Sequence, residues 1–322
     1  MLTLIKAGLS SIQDAGRFGF EALGIGHAGF ADPHSARVAN LLLGHAPESA
    51  CIEICESHFE IATDAPIQMA CFGAWASLSI GSDASHRRQD FAGRAICLEK
   101  GERLRISRWF SGRTLYIAMA PALDLPEVMH SLSTDVANQF GGLAGRMLKN
   151  GDVLPVNVTE SALPKVHTRA WPIPFATAVV QGAHPLRFLP FHDALAAQLN
   201  QKRYQLTSQC SRAALRLQGR LLDIDASLSS ALSAGVVPGA IQILPSGEPL
   251  VLGIDAQTLG GYALAGCVIG ADLAKLAQLK IGETVQFESL DWMAAQRLNL
   301  LRARLQERQM TQVLAISDPH RS

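Results

Sequence analysis

Between residues 104 and 119 the chain reads Leu104-Arg105-Ile106-Ser107-Arg108-Trp109-Phe110-Ser111-Gly112-Arg113-Thr114-Leu115-Tyr116-Ile117-Ala118-Met119. Apolar side chains fall on every second position at 104 and 106 and again at 115, 117 and 119, the period of a strand with a buried face. Val285 and Phe287 repeat it. Ile67–Phe72, Thr177–Val180 and Leu250–Leu252 are short apolar runs bounded by glycine or proline, as buried strands are. Turn residues return roughly every 8 to 15 positions, the spacing of barrels and sandwiches. The 27 glycines and 15 prolines fall largely in those turns. The expected fold class is mainly β, arranged as two β-barrels with a few short helices and a C-terminal helix.

The helices have legible ends. Asp32 caps a helix with Pro33 at its first position, which stops at Gly44. Phe191, Leu195 and Leu199 share one helical face. Leu273, Leu276, Ala277 and Leu279 predict a short helix after Gly270. The longest helix is expected from Asp291 to Gln309, with Met293, Ala294, Leu298, Leu301 and Leu305 on one face and Arg297, Arg302, Arg304 and Arg308 on the other. The last dozen residues are expected to fray. Three segments follow: an N-terminal β region over 1–165, a C-terminal barrel region over 166–290, and a helix with a tail over 291–322. The first boundary falls in Leu163–Phe175, which Pro164, Pro172 and Pro174 interrupt.

Composition removes several function classes. The 322 residues carry 28 Lys and Arg against 28 Asp and Glu, a net charge of zero. Nucleic-acid binding needs a cationic surplus and is not expected; the densest basic run, His86-Arg87-Arg88, reads as a solvated turn. The start has no basic segment followed by an apolar one, as a signal peptide would. The most apolar stretch, Val236 to Leu279, is cut by Pro238, Pro245, Pro249, Asp255, Gly260-Gly261 and Asp272, so no membrane span is expected. Cysteines at 51, 55, 71, 97, 210 and 267 form no Cys-x-x-Cys pair and have no histidine at zinc spacing. Reduced thiols, no metal and a cytoplasmic location are the expectation.

Four polar, glycine-rich clusters are candidates for chemistry. The first is Gln13-Asp14-Ala15-Gly16-Arg17-Phe18-Gly19-Phe20, followed by Gly24-Ile25-Gly26-His27-Ala28-Gly29. Asp14 and Arg17 are placed either to hold a ligand or to bridge a turn. Gly24-x-Gly26-x-x-Gly29 fits a dinucleotide pattern only weakly, because no strand leads into it. The second cluster holds Gln242 and then Asp255-Ala256-Gln257-Thr258-Leu259-Gly260-Gly261-Tyr262. It supplies acceptors, donors and exposed backbone N–H groups for an amide, lactam or carboxylate. A polar hairpin that satisfies its own backbone is the other reading. The third runs from His130-Ser131-Leu132-Ser133-Thr134 through Gly141-Gly142-Leu143-Ala144-Gly145-Arg146 to Gly151-Asp152. The fourth holds Arg212 and Arg216 on an alternating stretch, where one of them can face a pocket and bind an anion bidentately.

In this order the clusters resemble one family. Its members are named as the C-type subunit of 5-oxoprolinase, allophanate hydrolase subunit 2 or biotin-dependent carboxyltransferase, and it forms part of the carboxyltransferase region of urea amidolyase. The similarity lies in Gln13-Asp14-x-Gly16-Arg17-x-Gly19, Asp32 with Ala39-Asn40-Leu41-Leu42-x-Gly44, Ile52-Glu53, Gly73-Ala74, Ser131-x-Ser133-Thr134 and Gly141-Gly142-x-x-Gly145-Arg146. It continues through Gly151-Asp152, Arg212, Arg216-Leu217-x-Gly219, Asp255-x-Gln257-Thr258-x-Gly260-Gly261-Tyr262 and Ala271-Asp272-Leu273, over about residues 3 to 288. The chain departs from the family at Pro121-Ala122-Leu123, where Gly-Gly-Ile is usual, at Leu132, where arginine is usual, at Ser211, where an acid is usual, and at Ala213-Ala214.

The resemblance implies cyclophilin-like β-barrels, a sister subunit of related architecture and, in the 5-oxoprolinase branch, a third subunit. That complex opens 5-oxoproline to glutamate with ATP, for which a partner in the complex can provide the binding site. On this reading we assign Gln257, Thr258 and Tyr262 to the developing oxyanion, Asp255 to proton movement and Arg212 or Arg216 to the substrate carboxylate. Gln242, Gly260, Gly261, Arg17 and Asp14 complete the expected binding set. Two alternatives stay open. One is a component of biotin-dependent carboxyl transfer, with biotin carried by another chain because no Met-Lys-Met occurs here. The other is a non-catalytic regulatory or scaffolding subunit.

Overall fold

The computed structural model describes residues 1–83, 87–156, 183–224 and 233–317. The expected strand Thr177–Val180, the boundary Leu163–Phe175, His86 and the final tail from Asp318 lie outside the described residues. The chain divides into two compact units, one within Met1–Arg17, Ala28–Ala178 and Glu307–Ser322, the other within Phe18–His27 and Val179–Gln306.

In the first unit Leu104–Met119 lies within β8 (Arg103–Ala120), paired along its length with β5 (Ile67–Gly81). The outer edge of β8 is shared by β3 (Cys51–Cys55) and β4 (Phe59–Thr63), and that of β5 by β6 (Arg87–Phe91) and β7 (Arg94–Leu98). β1 (Leu2–Lys6), β2 (Leu9–Gln13) and β9 (Val153–Leu154) complete a nine-stranded sheet. Alternation sorts the side chains between two cores. Met69, Cys71, Leu115, Ile117 and Met119 face one core, while Ala70, Phe72, Tyr116, Ala118 and Ala120 face α1 (Pro33–Leu42). Two buried faces explain why these strands are apolar almost throughout. Helix α1 begins as its sequence predicts, with Pro33 at the first position and Asp32 accepting from the Ser35 N–H at 3.2 Å.

The second unit is a closed seven-stranded barrel in the order β10-β17-β14-β15-β12-β11-β18. Its strands are β10 (His184–Pro190), β11 (Arg203–Cys210), β12 (Ala214–Gly219), β14 (Ala240–Ile243), β15 (Pro249–Leu252), β17 (Ala263–Val268) and β18 (Thr284–Ser289). Parallel pairing of β10 with β18 closes the ring. Leu186, Phe188, Tyr204, Leu217, Ile241, Val251 and Phe287 fill it. Outside the ring, β13 (Ala234–Gly235) pairs with β16 (Leu259–Gly260). Helices α2 (Asp193–Asn200) and α3 (Gly270–Gln278) belong to this unit. Asp272 of α3 is fully buried and holds Arg187 by Nε at 2.9 Å and Nη2 at 2.5 Å, with Lys275 at 2.9 Å.

The arrangement is mainly β, with one closed barrel and one branched open sheet. The last helix, α4 (Trp292–Ser317), passes the expected end at Gln309 and contradicts fraying over 311–317. The cause is packing: Val313 is buried, with Met310 beside it, against Phe30, Val38 and Leu42. Among the described residues no helix is long and apolar enough to cross a membrane.

Candidate functional site

The barrel's outer wall carries most of the residues singled out in the C-terminal half. Strand alternation sends Ile241 and Ile243 inward and therefore Gln242 outward. Register places Gln242 beside Leu250 on one side and Leu264 on the other, and Leu250 beside Arg216. With strands about 4.8 Å apart, Arg216 and Gln242 stand on one row roughly 10 Å from each other. The segment from Gly253 to Gly260 runs from the Arg212 backbone, which Gly253 abuts, to Gln242, which Gly260 covers. Val236, Ala240, Leu252 and Ala256 form an apolar cluster, with Ala214, Leu250 and Leu264 partly buried against them.

Arg212 and Asp255 sit at the rim and grip each other. Nε donates to Oδ2 at 2.7 Å and Nη2 to Oδ1 at 2.9 Å, and the Asp255 N–H donates to the Arg212 carbonyl at 3.1 Å. Both side chains keep under a fifth of their surface in water. Such a fork is the geometry in which guanidinium best recognises carboxylate. The proton carrier and the carboxylate anchor assigned from sequence are thus each other's partners in this state. Arg216 donates to Glu248 Oε2 at 2.5 Å and to Gln209 Oε1 at 2.8 Å. The guanidinium holds the Glu248 carboxyl below the usual range.

Gln242 is fully buried, and neither Oε1 nor Nε2 has a hydrogen-bond partner. Leaving a buried polar group unbonded costs about 1–3 kcal/mol. Gly260 lies directly over this carboxamide: a β-carbon there would collide with Nε2 and stand 3.1 Å from Val236 Cγ1. Gln257 and Tyr262 are exposed and Thr258 half-buried on the same segment, and Gly261 lies in the open beside Gly260. From the N-terminal excursion, Gly26 comes within 2.9 Å of the Ala256 carbonyl, measured from an added β-carbon. His27 there contacts Glu21 and stacks on Phe18.

Asp14 and Arg17 belong to the other unit, where both serve the 128–134 segment. Asp14 accepts from the Ser131 and Ser133 hydroxyls at 2.6 Å each, from the Leu132 N–H at 2.6 Å and from the Gly16 N–H at 2.8 Å. Arg17 is buried, donates to the Ser133 carbonyl at 2.5 Å and stacks over Phe140 at 4.8 Å. Met129, His130, Gln139 and Ala144 nearby take positive φ without being glycine. Arg146 and Asp152 pair at 2.8 and 2.9 Å, which lowers the Asp152 carboxyl below its usual range.

Two features lay outside the sequence reading. Tyr116 donates to Glu53 Oε2 at 2.7 Å and accepts from the Asp32 N–H at 2.7 Å, so the helix cap is wired to the sheet. Trp75, Phe91 and Phe110 stack on one another while each stays more than a third exposed. No spacing signals that trio, because β5, β6 and β8 bring it together from distant positions. A cleft of about 300 Å³ lined by Lys6, His58, Phe59, Arg105, Ile106 and Ser107 holds none of the predicted site residues.

The family model described as the carboxyltransferase domain, subdomain A and B, matches residues 23–289. The chain belongs to that family. It is 33% identical over 296 residues to the C-type subunit of 5-oxoprolinase from Escherichia coli, covering 89% of this chain and 90% of that one. The protein of the same name from Haemophilus influenzae is 30% identical over 295 residues, with 90% and 91% covered. Among solved structures, K. lactis urea amidolyase superposes with a TM-score of 0.84 at 25% identity over 96% of this chain. This carboxyltransferase-family chain spans only 20% of that longer one. The matched range contains Arg212, Arg216, Gln242 and the whole 255–262 segment, and it leaves Asp14 and Arg17 outside.

Proposed function

We propose that this chain is a subunit of an ATP-dependent hydrolase of cyclic amides of the 5-oxoprolinase type, acting with a sister subunit and a third subunit. The observation that carries the reading is the end-to-end likeness to the C-type subunit of 5-oxoprolinase, about nine-tenths of both chains. The likeness to urea amidolyase is instead to a fifth of a much longer chain.

The chemistry asks for few groups. A lactam carbonyl is a poor electrophile. Transfer of a phosphoryl group from ATP to its oxygen activates the carbon for attack by water. The ring C–N bond then breaks as the nitrogen takes a proton, leaving an acyl phosphate that a second water hydrolyses to glutamate and phosphate. On this reading ATP is bound by a partner subunit, and the residues here orient the lactam and move protons.

The Arg212–Asp255 pair serves both needs in one exchange. A substrate carboxylate that docks on the Arg212 fork displaces Asp255, and the freed carboxylate accepts a proton from the attacking water. Gln257, Thr258 and Tyr262, on the 255–262 segment, supply donors to the oxygen where charge develops. Arg216, already held by Glu248, is the alternative anchor.

A second reading is favoured by the superposition on urea amidolyase: a component of biotin-dependent carboxyl transfer, with biotin arriving on another chain. The experiment that separates the two is co-expression with the sister and third subunits, followed by assay of Asp255→Asn. Lost lactam-dependent ATP turnover with retained assembly supports the first reading. Full activity removes Asp255 as the proton carrier.

A further inference from the structure

Gln242 is the one described residue whose two side-chain polar atoms are both buried and both without a hydrogen bond. It stands in the candidate site, on the outer wall of the barrel, under Gly260 beside Val236 and between Leu250 and Leu264 of the neighbouring strands. An apolar residue would fill that place at no such cost. A carboxamide kept bare in an apolar, low-dielectric setting is suited to a partner that brings a matching donor and acceptor.

From this we infer that Gln242 reads the amide edge of the substrate, and that the site selects ligands presenting N–H and C=O on the same side. The inference rests on the amide-hydrolase reading above and deepens it. A primary carboxamide carries one N–H and its C=O along a single edge. It closes two parallel hydrogen bonds with any group that presents the complementary edge. A lactam does so because its ring holds the amide cis. Urea and primary amides do so because one of their N–H bonds is always cis to the oxygen. An open-chain secondary amide is trans and shows its N–H and C=O to opposite sides. It therefore makes one of the two bonds and leaves Gln242 half satisfied.

Entry is by way of the ribbon that covers the amide. β16 is held to β13 by a two-residue pairing, Ala234 with Gly260 and Gly235 with Leu259, and by the Val236 N–H to the Thr258 carbonyl at 3.0 Å. A two-residue pairing is weak. Gln257, Leu259, Gly261 and Tyr262 on the same segment are already exposed. Lifting the ribbon takes Gly260 off the carboxamide and bares its two polar atoms, with Val236 beside them, to a ligand. Gly260 then has a second use. With no side chain it packs on Gln242 when the site is empty, and it leaves nothing in the way of a ligand when the site is full.

The test needs neither ATP nor partner subunits. The full chain, labelled so that the Gln242 side-chain NH2 resonances are assigned, is titrated by NMR with 2-pyrrolidone and with N-methyl-2-pyrrolidone, which has the same ring and no N–H. The expected result is binding of 2-pyrrolidone with movement of the Gln242 NH2 signals, and affinity for the N-methyl compound lower by about 100-fold or more. Gln242→Leu is expected to fold with an unchanged or higher Tm and to lose the discrimination. Equal binding of the two compounds, no binding of 2-pyrrolidone, or discrimination that survives in Gln242→Leu overturns the inference. A lower Tm for Gln242→Leu with lactam binding intact means that the amide is served by internal water alone, and overturns it too. Should that variant not fold, the two ligands on the wild-type chain still decide. An assembled complex that turns over 5-oxoproline as well with Gln242→Leu as with the wild type would sink this inference and leave the proposed function standing. A complex with no lactam turnover at all would sink the function and leave the binding result untouched.

Discussion

Arg212 and Asp255 face each other in a two-pronged bond, Nε to Oδ2 at 2.7 Å and Nη2 to Oδ1 at 2.9 Å, on the rim of the barrel's outer wall. Each is therefore presented in a fixed orientation and at the distance at which a substrate carboxylate would take over one half of the pair. Arg212→Lys keeps the charge and loses the fork. In the assembled complex its expected effect is a KM for the lactam acid raised tenfold or more with kcat less affected. Asp255→Asn is expected to lower kcat by about 100-fold or more, the scale of a lost proton carrier. Steady-state kinetics on both variants checks the split. Equal effects on KM and kcat in both would mean that the pair only shapes the rim.

Acid tolerance depends on Asp272. Burial pushes its carboxyl up, but bonds from the Arg187 guanidinium and backbone and from Lys275 outweigh burial, and the net position is below the ordinary value of 3.8. A carboxyl lowered by folding stabilises the folded state fully above its unfolded value, and that share is lost as pH falls through the lower folded one. Asp272→Asn leaves the half-buried Arg187 facing a neutral group and is expected to cost about 1.5–3 kcal/mol at pH 7, the scale of lost hydrogen bonds to a charged group. Urea unfolding across pH should show the gap between wild type and variant narrowing below about pH 4. A gap that stays constant through that range would contradict the assignment.

Gly141 is fixed by its backbone. It has φ +70°, and an added β-carbon would overlap the Ser133 carbonyl on the segment that binds Asp14 and Arg17. Gly141→Ala should destabilise the first unit by several kcal/mol or prevent its folding. Gly24, also at positive φ but with nothing within 4 Å, should cost about 1–2 kcal/mol as alanine. Thermal unfolding of the two variants side by side tests the contrast.

Tyr116→Phe removes a donor to Glu53 and an acceptor for the Asp32 N–H. Burial and the neighbouring carboxylates hold the Tyr116 phenol well above its ordinary pKa, so it remains a donor at any working pH. The expected loss is about 1–3 kcal/mol in chemical denaturation. No change would show that water takes over both bonds.

Much of the fold could be read from local pattern. The alternation over 104–119 gave β8, and Asp32 with Pro33 gave the start of α1, because caps and strand periods are local. The end of α4 was not legible: Met310 and Val313 are held by Phe30, Val38 and Leu42, far away in sequence. Closure was not legible either. A single closed ring depends on the parallel match of β10 with β18, which no local pattern reports. At the site, the polar clusters around 212, 242 and 255–262 were visible as compositions. Their grouping on one wall required strand register, and Arg212 being occupied by Asp255 required three-dimensional geometry. Residues 14 and 17 looked equally functional in sequence, and the structure gives them bonds that order the 128–134 segment.

The most direct test of the central claim is ATP hydrolysis by this chain co-expressed with its sister and third subunits, with and without 5-oxoproline. The expected result is an assembled complex whose ATP turnover requires 5-oxoproline and releases glutamate. An assembled complex with no lactam-dependent turnover would contradict it and point to a regulatory or scaffolding role, with the departures at Pro121, Leu132 and Ser211 as the first residues to restore.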